Sequence, residues 1–184
     1  MSPAAPRPGS GGSDARLVLS AEALDGALEL LFLADAALWA EAEPALAAAK
    51  PELGPKLGLK LGRGHYRIAF LIKRRPGIGV QELARLTGLS KQGASRVLGE
   101  LEQAGLVDKA AGELDARRRP ARLTPAGAAF EAGVGERLRA QLARAYRTGG
   151  LDAAPGARRI WAALAGSRAP RASATGTGRE GNGA

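Results

Sequence analysis

A chain of 184 residues has room for one ordinary domain core with tails, and with no cysteine and a single histidine it excludes disulfides, thiolate zinc sites, cysteine nucleophiles and the usual histidine-based triads. Its 27 Lys and Arg against 18 Asp and Glu leave a net charge of +9, which favours a polyanionic partner. The greasiest stretch, residues 27–40, is short and carries Glu29 and Asp35, and the start lacks the apolar core of a secretory signal, so a cytoplasmic protein with no membrane partner is expected.

Residues 1–16 are rich in Pro, Gly and Ser without periodicity, and so are residues 167–184. Too few apolar side chains occur there to offset the entropy of ordering, so both are expected to be disordered tails around a folded domain over 17–166. Ser20 is a candidate N-cap for a long helix reaching about Glu43, where Pro44 and then Pro51, Gly54 and Pro55 end or break it. Leu24, Leu28, Leu31, Leu38 and Trp39 follow helical spacing, but Ala27, Leu30, Phe32 and Leu33 fill the other faces. A helix apolar nearly all round is buried on more than one side. It reads as a homodimer interface or, alternatively, as a core helix within one chain.

A second helix is expected over Arg63–Arg74, with Tyr66, Ile68, Ala69, Phe70 and Ile72 as core contacts, stopping before Pro76-Gly77. A short third follows from Val80 to about Leu86, with Glu82 placed to reach back to its start and Gly79 where a full capping box has Ser or Thr. After the turn Thr87-Gly88-Leu89, Ser90 caps a helix running through Leu101 to a stop at Gly105. Ala94, Val97, Leu98 and Leu101 form its buried stripe. Ser90, Lys91, Gln92, Ser95 and Arg96 are left on the open face of its first two turns, with the length and donor type that reach base edges and phosphates. Gly93 and Gly99 lie inside this helix, each costing up to about 1 kcal/mol relative to Ala. Either the backbone approaches something closely there or the helix is softer.

Leu106-Val107 begins a strand, 109–119 form a loop, and Ala121-Arg-Leu-Thr returns as its partner, with Pro120 at a position that tolerates a missing N–H. Thr124 and Pro125 serve as N-cap and first-turn proline of the next helix. Along it Phe130, Val134, Leu138, Leu142 and Tyr146 recur every four residues as one apolar seam, and a last short helix over about 154–164 offers Ile160, Trp161 and Leu164. The fold class expected is mainly α with a small β-wing: a winged helix-turn-helix head over 59–127, flanked by dimerisation helices at 20–58 and 125–166.

The charge is distributed to match. Residues 1–59 are net −4, residues 60–127 net +8 and residues 128–184 net +5. A basic centre beside an acidic, apolar N-terminal segment suits a nucleic-acid head joined to a separate packing element, although arginine- and alanine-rich coding would produce a similar balance. Three consecutive arginines, Arg117, Arg118 and Arg119, repel one another at a loop tip unless an anion lies there.

Three segments together resemble the MarR family of bacterial regulators: Leu83-Ala-Arg-Leu-Thr-Gly-Leu-Ser-Lys-Gln; Arg96-Val-Leu-Gly-Glu-Leu-Glu-Gln-Ala-Gly-Leu-Val; and Asp115-Ala-Arg117 followed by Leu123-Thr-Pro-Ala-Gly127. Gly62-Arg-Gly-His-Tyr-Arg-Ile with Ser90-Lys-Gln is similar, more particularly, to its PetP-like branch. The resemblance implies a homodimer whose two recognition helices enter successive major grooves of a pseudo-palindromic double-stranded DNA site. It also implies that Ser90, Lys91, Gln92, Ser95 and Arg96 face the major groove. Arg117 would enter the minor groove with Asp115 holding its direction, while Arg118 and Arg119 touch phosphates.

The remaining candidates have plainer readings beside their functional ones. His65 reads as a structural or partly exposed residue, or alternatively as a pH sensor or ligand contact. Trp39, Tyr66 and Trp161 read as core, or as lining for an effector pocket. An effector would be a small organic molecule or another protein, since thiol sensing and an all-histidine metal site are excluded. No phosphate loop, metal cluster or nucleophile with a base is present, so neither an enzymatic role nor a cofactor is expected; Gly176-Thr-Gly178-Arg-Glu-Gly181 fits a dinucleotide-binding pattern but follows no strand. The competing function is a winged-helix module used for protein contact or for non-specific nucleoid binding.

Overall fold

The computed structural model describes residues 20–49, 60–109, 120–150 and 152–166, and the chain divides into two units, residues 1–36 and 37–184. The expected tails and the Pro51, Gly54 and Pro55 cluster lie outside the described residues. The first unit holds most of helix α1 (Ala21–Ala40), which Ser20 caps by accepting the Ala23 N–H at 3.1 Å. Leu24, Leu28, Leu30, Leu31, Phe32 and Leu33 are all exposed on it. At 100° per residue, the run from Leu30 to Leu33 alone covers every side of the helix.

In the second unit the chain turns after Ala40 and enters α2 (Glu43–Ala48). This corrects the expectation that Pro44 ends the first helix. Pro44 instead stands in the first turn of α2, where its missing N–H has no partner to lose and its fixed φ suits the start of a helix. The turn itself closes through Ala42 N–H to the Trp39 carbonyl at 3.0 Å.

Helix α3 (Arg63–Arg74) has the expected bounds, and His65, Ile68, Ala69 and Ile72 face inward at helical spacing, with Tyr66 beside them. It packs against α4 (Val80–Thr87), α5 (Lys91–Gln103) and α6 (Pro125–Gly149). Ile68 of α3 is fully buried, as are Leu83, Leu101, Leu106 and Val134, and truncating the isoleucine or any of these leucines to Ala costs about 2–5 kcal/mol. Tyr66 meets Trp39 edge-on at 6.0 Å and Phe70 at 5.9 Å, so Trp39 and Tyr66 are core residues. Glu82 does not reach back to cap α4: its carboxylate is drawn to Arg85, at 2.7 Å, and Arg75, at 3.5 Å. The charged hydrogen bond from Arg85 also holds the Glu82 carboxyl below its ordinary pKa.

Strands β1 (Val107–Lys109) and β2 (Ala121–Leu123) pair antiparallel, with Val107 opposite Leu123 and Asp108 opposite Arg122. The seam along α6 is buried at Phe130 and Val134 and opens at Leu142. Farther along, Tyr146 packs against Trp161 of α7 (Ala153–Ala165) at 6.0 Å, and Trp161 remains 44% exposed with Ile160 and Leu164 exposed beside it. No described helix is long and apolar enough to cross a membrane.

Candidate nucleic-acid interface

Helix α4, the turn at Gly88 and helix α5 form a helix-turn-helix because Gly88 takes the left-handed conformation, φ +77°, that a side chain would resist. Ser90 then starts α5, its Oγ accepting the Gly93 N–H at 3.0 Å. That hydrogen bond leaves the hydroxyl proton free to donate outward. Ala94, Val97, Leu98 and Leu101 are buried as the periodicity implies, and Ser90, Lys91, Gln92, Ser95 and Arg96 are all exposed on the other side. The structure therefore gathers these five side chains on one open face. Packing decides this: the four apolar residues can be buried only if the helix is rotated so that the polar ones face water.

Gly93 and Gly99 differ. A Cβ at Gly93 would lie 3.2 Å from the Ser90 hydroxyl, so the cap itself crowds the position, whereas nothing lies within 4 Å of a Cβ at Gly99.

The base of the wing is held by Thr124. Its Oγ1 donates to the Gly105 carbonyl at 2.7 Å and accepts the Gly127 N–H at 3.0 Å, and its own N–H donates to the Leu106 carbonyl at 3.0 Å. These bonds fix the start of α6 to the point where the chain leaves α5, and so fix where β1 and β2 depart. Arg122 is exposed on β2, an extra cation of this region that sequence reasoning passed over because it sits inside a strand. Asp115, Arg117, Arg118 and Arg119 lie outside the described residues.

Two acidic residues were also missed. Glu100 receives a hydrogen bond from His65 Nε2 at 2.8 Å and faces Arg96 Nε at 3.8 Å. Glu131, only 1% exposed, is paired with Lys73 and lies 3.8 Å from Arg139. The absence of a side chain at Gly135 makes this second cluster possible, since a Cβ there would be 3.1 Å from both Glu131 Oε1 and the Tyr66 hydroxyl. Burial, and secondarily the Glu131 charge, raise the Tyr66 phenol above its ordinary pKa. The cluster lines a groove of about 750 Å³ walled by Tyr66, Phe70, Lys73, Leu138 and Arg139.

The sequence profile of the MarR family matches residues 57–118. The chain is also 38% identical over 103 residues to the HTH-type transcriptional regulator PetP of Rhodobacter capsulatus, a match covering 56% of this chain and 62% of that protein. Over this shared region the chain is similar to the MarR family. In fold, the chain is similar to a MarR-family transcriptional regulator from Rhodococcus sp. RHA1, with a TM-score of 0.61 at 18% identity over 80% of this chain and 99% of that one. A MarR family protein of Mycobacterium tuberculosis, solved in complex with salicylic acid, is 29% identical with a TM-score of 0.51, over 73% of this chain and 93% of that one. The winged helix expected from Leu83–Gly127 is thus the fold that these solved structures share. The PetP match spans less than two thirds of its partner, so it speaks for the shared region only.

Proposed function

We propose that this chain is a sequence-specific transcriptional regulator of the MarR family that binds double-stranded DNA as a homodimer and is not an enzyme. One observation carries the reading: Ser90, Lys91, Gln92, Ser95 and Arg96 share an exposed face of α5 while its opposite stripe is buried. Placed in a major groove, that face offers hydroxyl, amide and cationic donors to base edges and phosphates. Asp115 and Arg117, with Arg118 and Arg119, take the minor groove and backbone. The exposed leucines of α1 and the exposed Ile160, Trp161 and Leu164 of α7 form the contact with a second copy, which places two heads on a pseudo-palindromic site.

Selection of duplexes by the purified protein from a random-sequence library tests this. The expected product is an inverted repeat bound far more tightly than scrambled duplex, with affinity falling steeply as salt rises. Equal affinity for selected and scrambled DNA would instead favour a non-specific nucleoid or protein-contact role.

The groove between α3 and α6 suits a small organic anion as effector. Tyr66 and Phe70 provide apolar wall, and Lys73, Arg74, Arg75 and Arg139 provide charge at its rim. The salicylic acid complex of the Mycobacterium tuberculosis relative supports that chemistry. Thermal-shift titration with aromatic carboxylates, followed by release of bound DNA, is the measurement that decides it.

A further inference from the structure

We propose that His65 and Glu100 form a positioning relay that aims the Arg96 guanidinium and thereby sets the selectivity of the α5 reading face; the inference rests on the DNA-reading role proposed above. His65 is the only histidine of the chain and is 9% exposed. Its Nδ1 accepts the Gly62 backbone N–H at 3.0 Å, so the ring proton sits on Nε2 and donates to Glu100 Oε2 at 2.8 Å. The backbone of Gly62, the N-cap of α3, thus selects the tautomer, and the tautomer holds a carboxylate on α5.

With Oε2 held, the other oxygen of Glu100 is the one 3.8 Å from Arg96 Nε, one helical turn nearer the helix start. Arg96 is 77% exposed and Glu100 28%, so the carboxylate lies at the edge of the reading face and the guanidinium on it. Two consequences follow from elementary electrostatics. The Nε side of Arg96 faces the carboxylate, which leaves its two terminal amines for a base edge. The adjacent negative charge also weakens the pull of Arg96 on any phosphate, which is the sequence-independent part of DNA binding. The relay therefore lowers affinity for arbitrary duplex more than affinity for the correct one.

Isosteric variants separate the two ends of the imidazole. His65→Asn keeps an acceptor near the Nδ1 position for Gly62 and loses the reach to Glu100; His65→Gln keeps a donor near the Nε2 position and loses the acceptor. Binding is measured for the duplex selected by the wild-type protein and for a scrambled duplex of the same length, over a range of salt. Glu100→Gln is expected to bind scrambled DNA more tightly, to lower the selected-to-scrambled affinity ratio by roughly tenfold, and to steepen the scrambled-DNA salt slope by about one per head; His65→Asn, which keeps the carboxylate but releases it, is expected to lower the ratio with the slope unchanged. His65→Gln is expected to retain most of the wild-type ratio. In an Arg96→Ala background, Glu100→Gln should change the ratio no further, because its effect runs through Arg96.

A wild-type ratio and slope in folded Glu100→Gln, or a wild-type ratio in folded His65→Asn, would overturn the relay, as would an undiminished Glu100→Gln effect in the Arg96→Ala background. If the His65 variants do not fold, the Glu100 and Arg96 cycle decides alone. A wild-type protein that cannot discriminate the two duplexes overturns the DNA-reading role and the relay with it. Discrimination by the wild type with insensitive variants overturns the relay only.

Discussion

The carbonyl oxygen of Leu106 lies where a side chain on residue 127 would begin: a Cβ on Gly127 would be 1.8 Å from it. The same oxygen accepts the Thr124 N–H at 3.0 Å, so the backbone approach that excludes a side chain is also what fastens α6 to the wing. Gly127→Ala must push one of these segments away and break the clasp. The expected loss is about 3 kcal/mol or more, with failure to accumulate folded protein as the extreme outcome. Chemical denaturation reads it, and a stability within 1 kcal/mol of wild type, on the order of a minor surface change, would show that the approach is not obligatory.

Gly99 makes the opposite case. It lies in the interior of α5 with open space where a Cβ would go, so Gly99→Ala relieves the backbone entropy of glycine without a clash. It should stabilise the protein by about 0.5–1 kcal/mol. Gly93→Ala should gain less, because its methyl meets the Ser90 hydroxyl at 3.2 Å and disturbs the cap. Equal gains from the two substitutions in thermal unfolding would remove the cap from the explanation.

What could be read in advance was whatever rests on local periodicity and local hydrogen bonding. Ala94, Val97, Leu98 and Leu101 repeat at helical spacing, and Ser90 and Thr124 cap the helices they precede. That was enough to place the open face of α5, because one stripe determines the other. Pro44 was misread because a proline that forbids a helix interior is equally suited to a first turn, and only the turn after Ala40 tells which applies. Glu131 and Glu100 were invisible for another reason. A carboxylate on a helix normally faces water, and what buries or engages these two are Lys73 and His65, 58 and 35 positions away. The charged wing, Asp115 to Arg119, lies outside the described residues and stays a sequence-based part of the site.

The Lys73 and Glu131 pair is asymmetric, with side chains 48% and 1% exposed. Removing the lysine leaves a buried carboxylate with Arg139 at 3.8 Å as its nearest remaining cation. Removing the charge on Glu131 releases a lysine that water can still reach. Lys73→Met should therefore destabilise the protein by about 1–3 kcal/mol, and adding Glu131→Gln to it should restore part of the loss. Urea unfolding of the two single variants and the double variant gives the coupling directly. A double variant as unstable as the sum of its parts would mean that the pair is not what the lysine provides.

Tyr66 gives the alkaline limb of the stability profile. Its phenol is held above its ordinary pKa, first by burial and then by the Glu131 charge, so the folded state prefers the neutral ring. An unfolded tyrosine ionises near pH 10, and folding must then work against that ionisation. The stability associated with neutral Tyr66 is complete below about pH 10 and is lost as the pH rises through the higher folded value. Tyr66→Phe removes this term while keeping the ring against Trp39 and Phe70. Its stability should fall less than that of the wild type over the interval that begins near pH 10 and ends at the higher folded value, so the two curves converge there. Lysine ionisation in the same range affects both proteins and cancels in the comparison. A constant difference between wild type and Tyr66→Phe across that interval, in denaturant melts at fixed ionic strength, would show that the phenol ionises as readily in the folded chain as in the unfolded one.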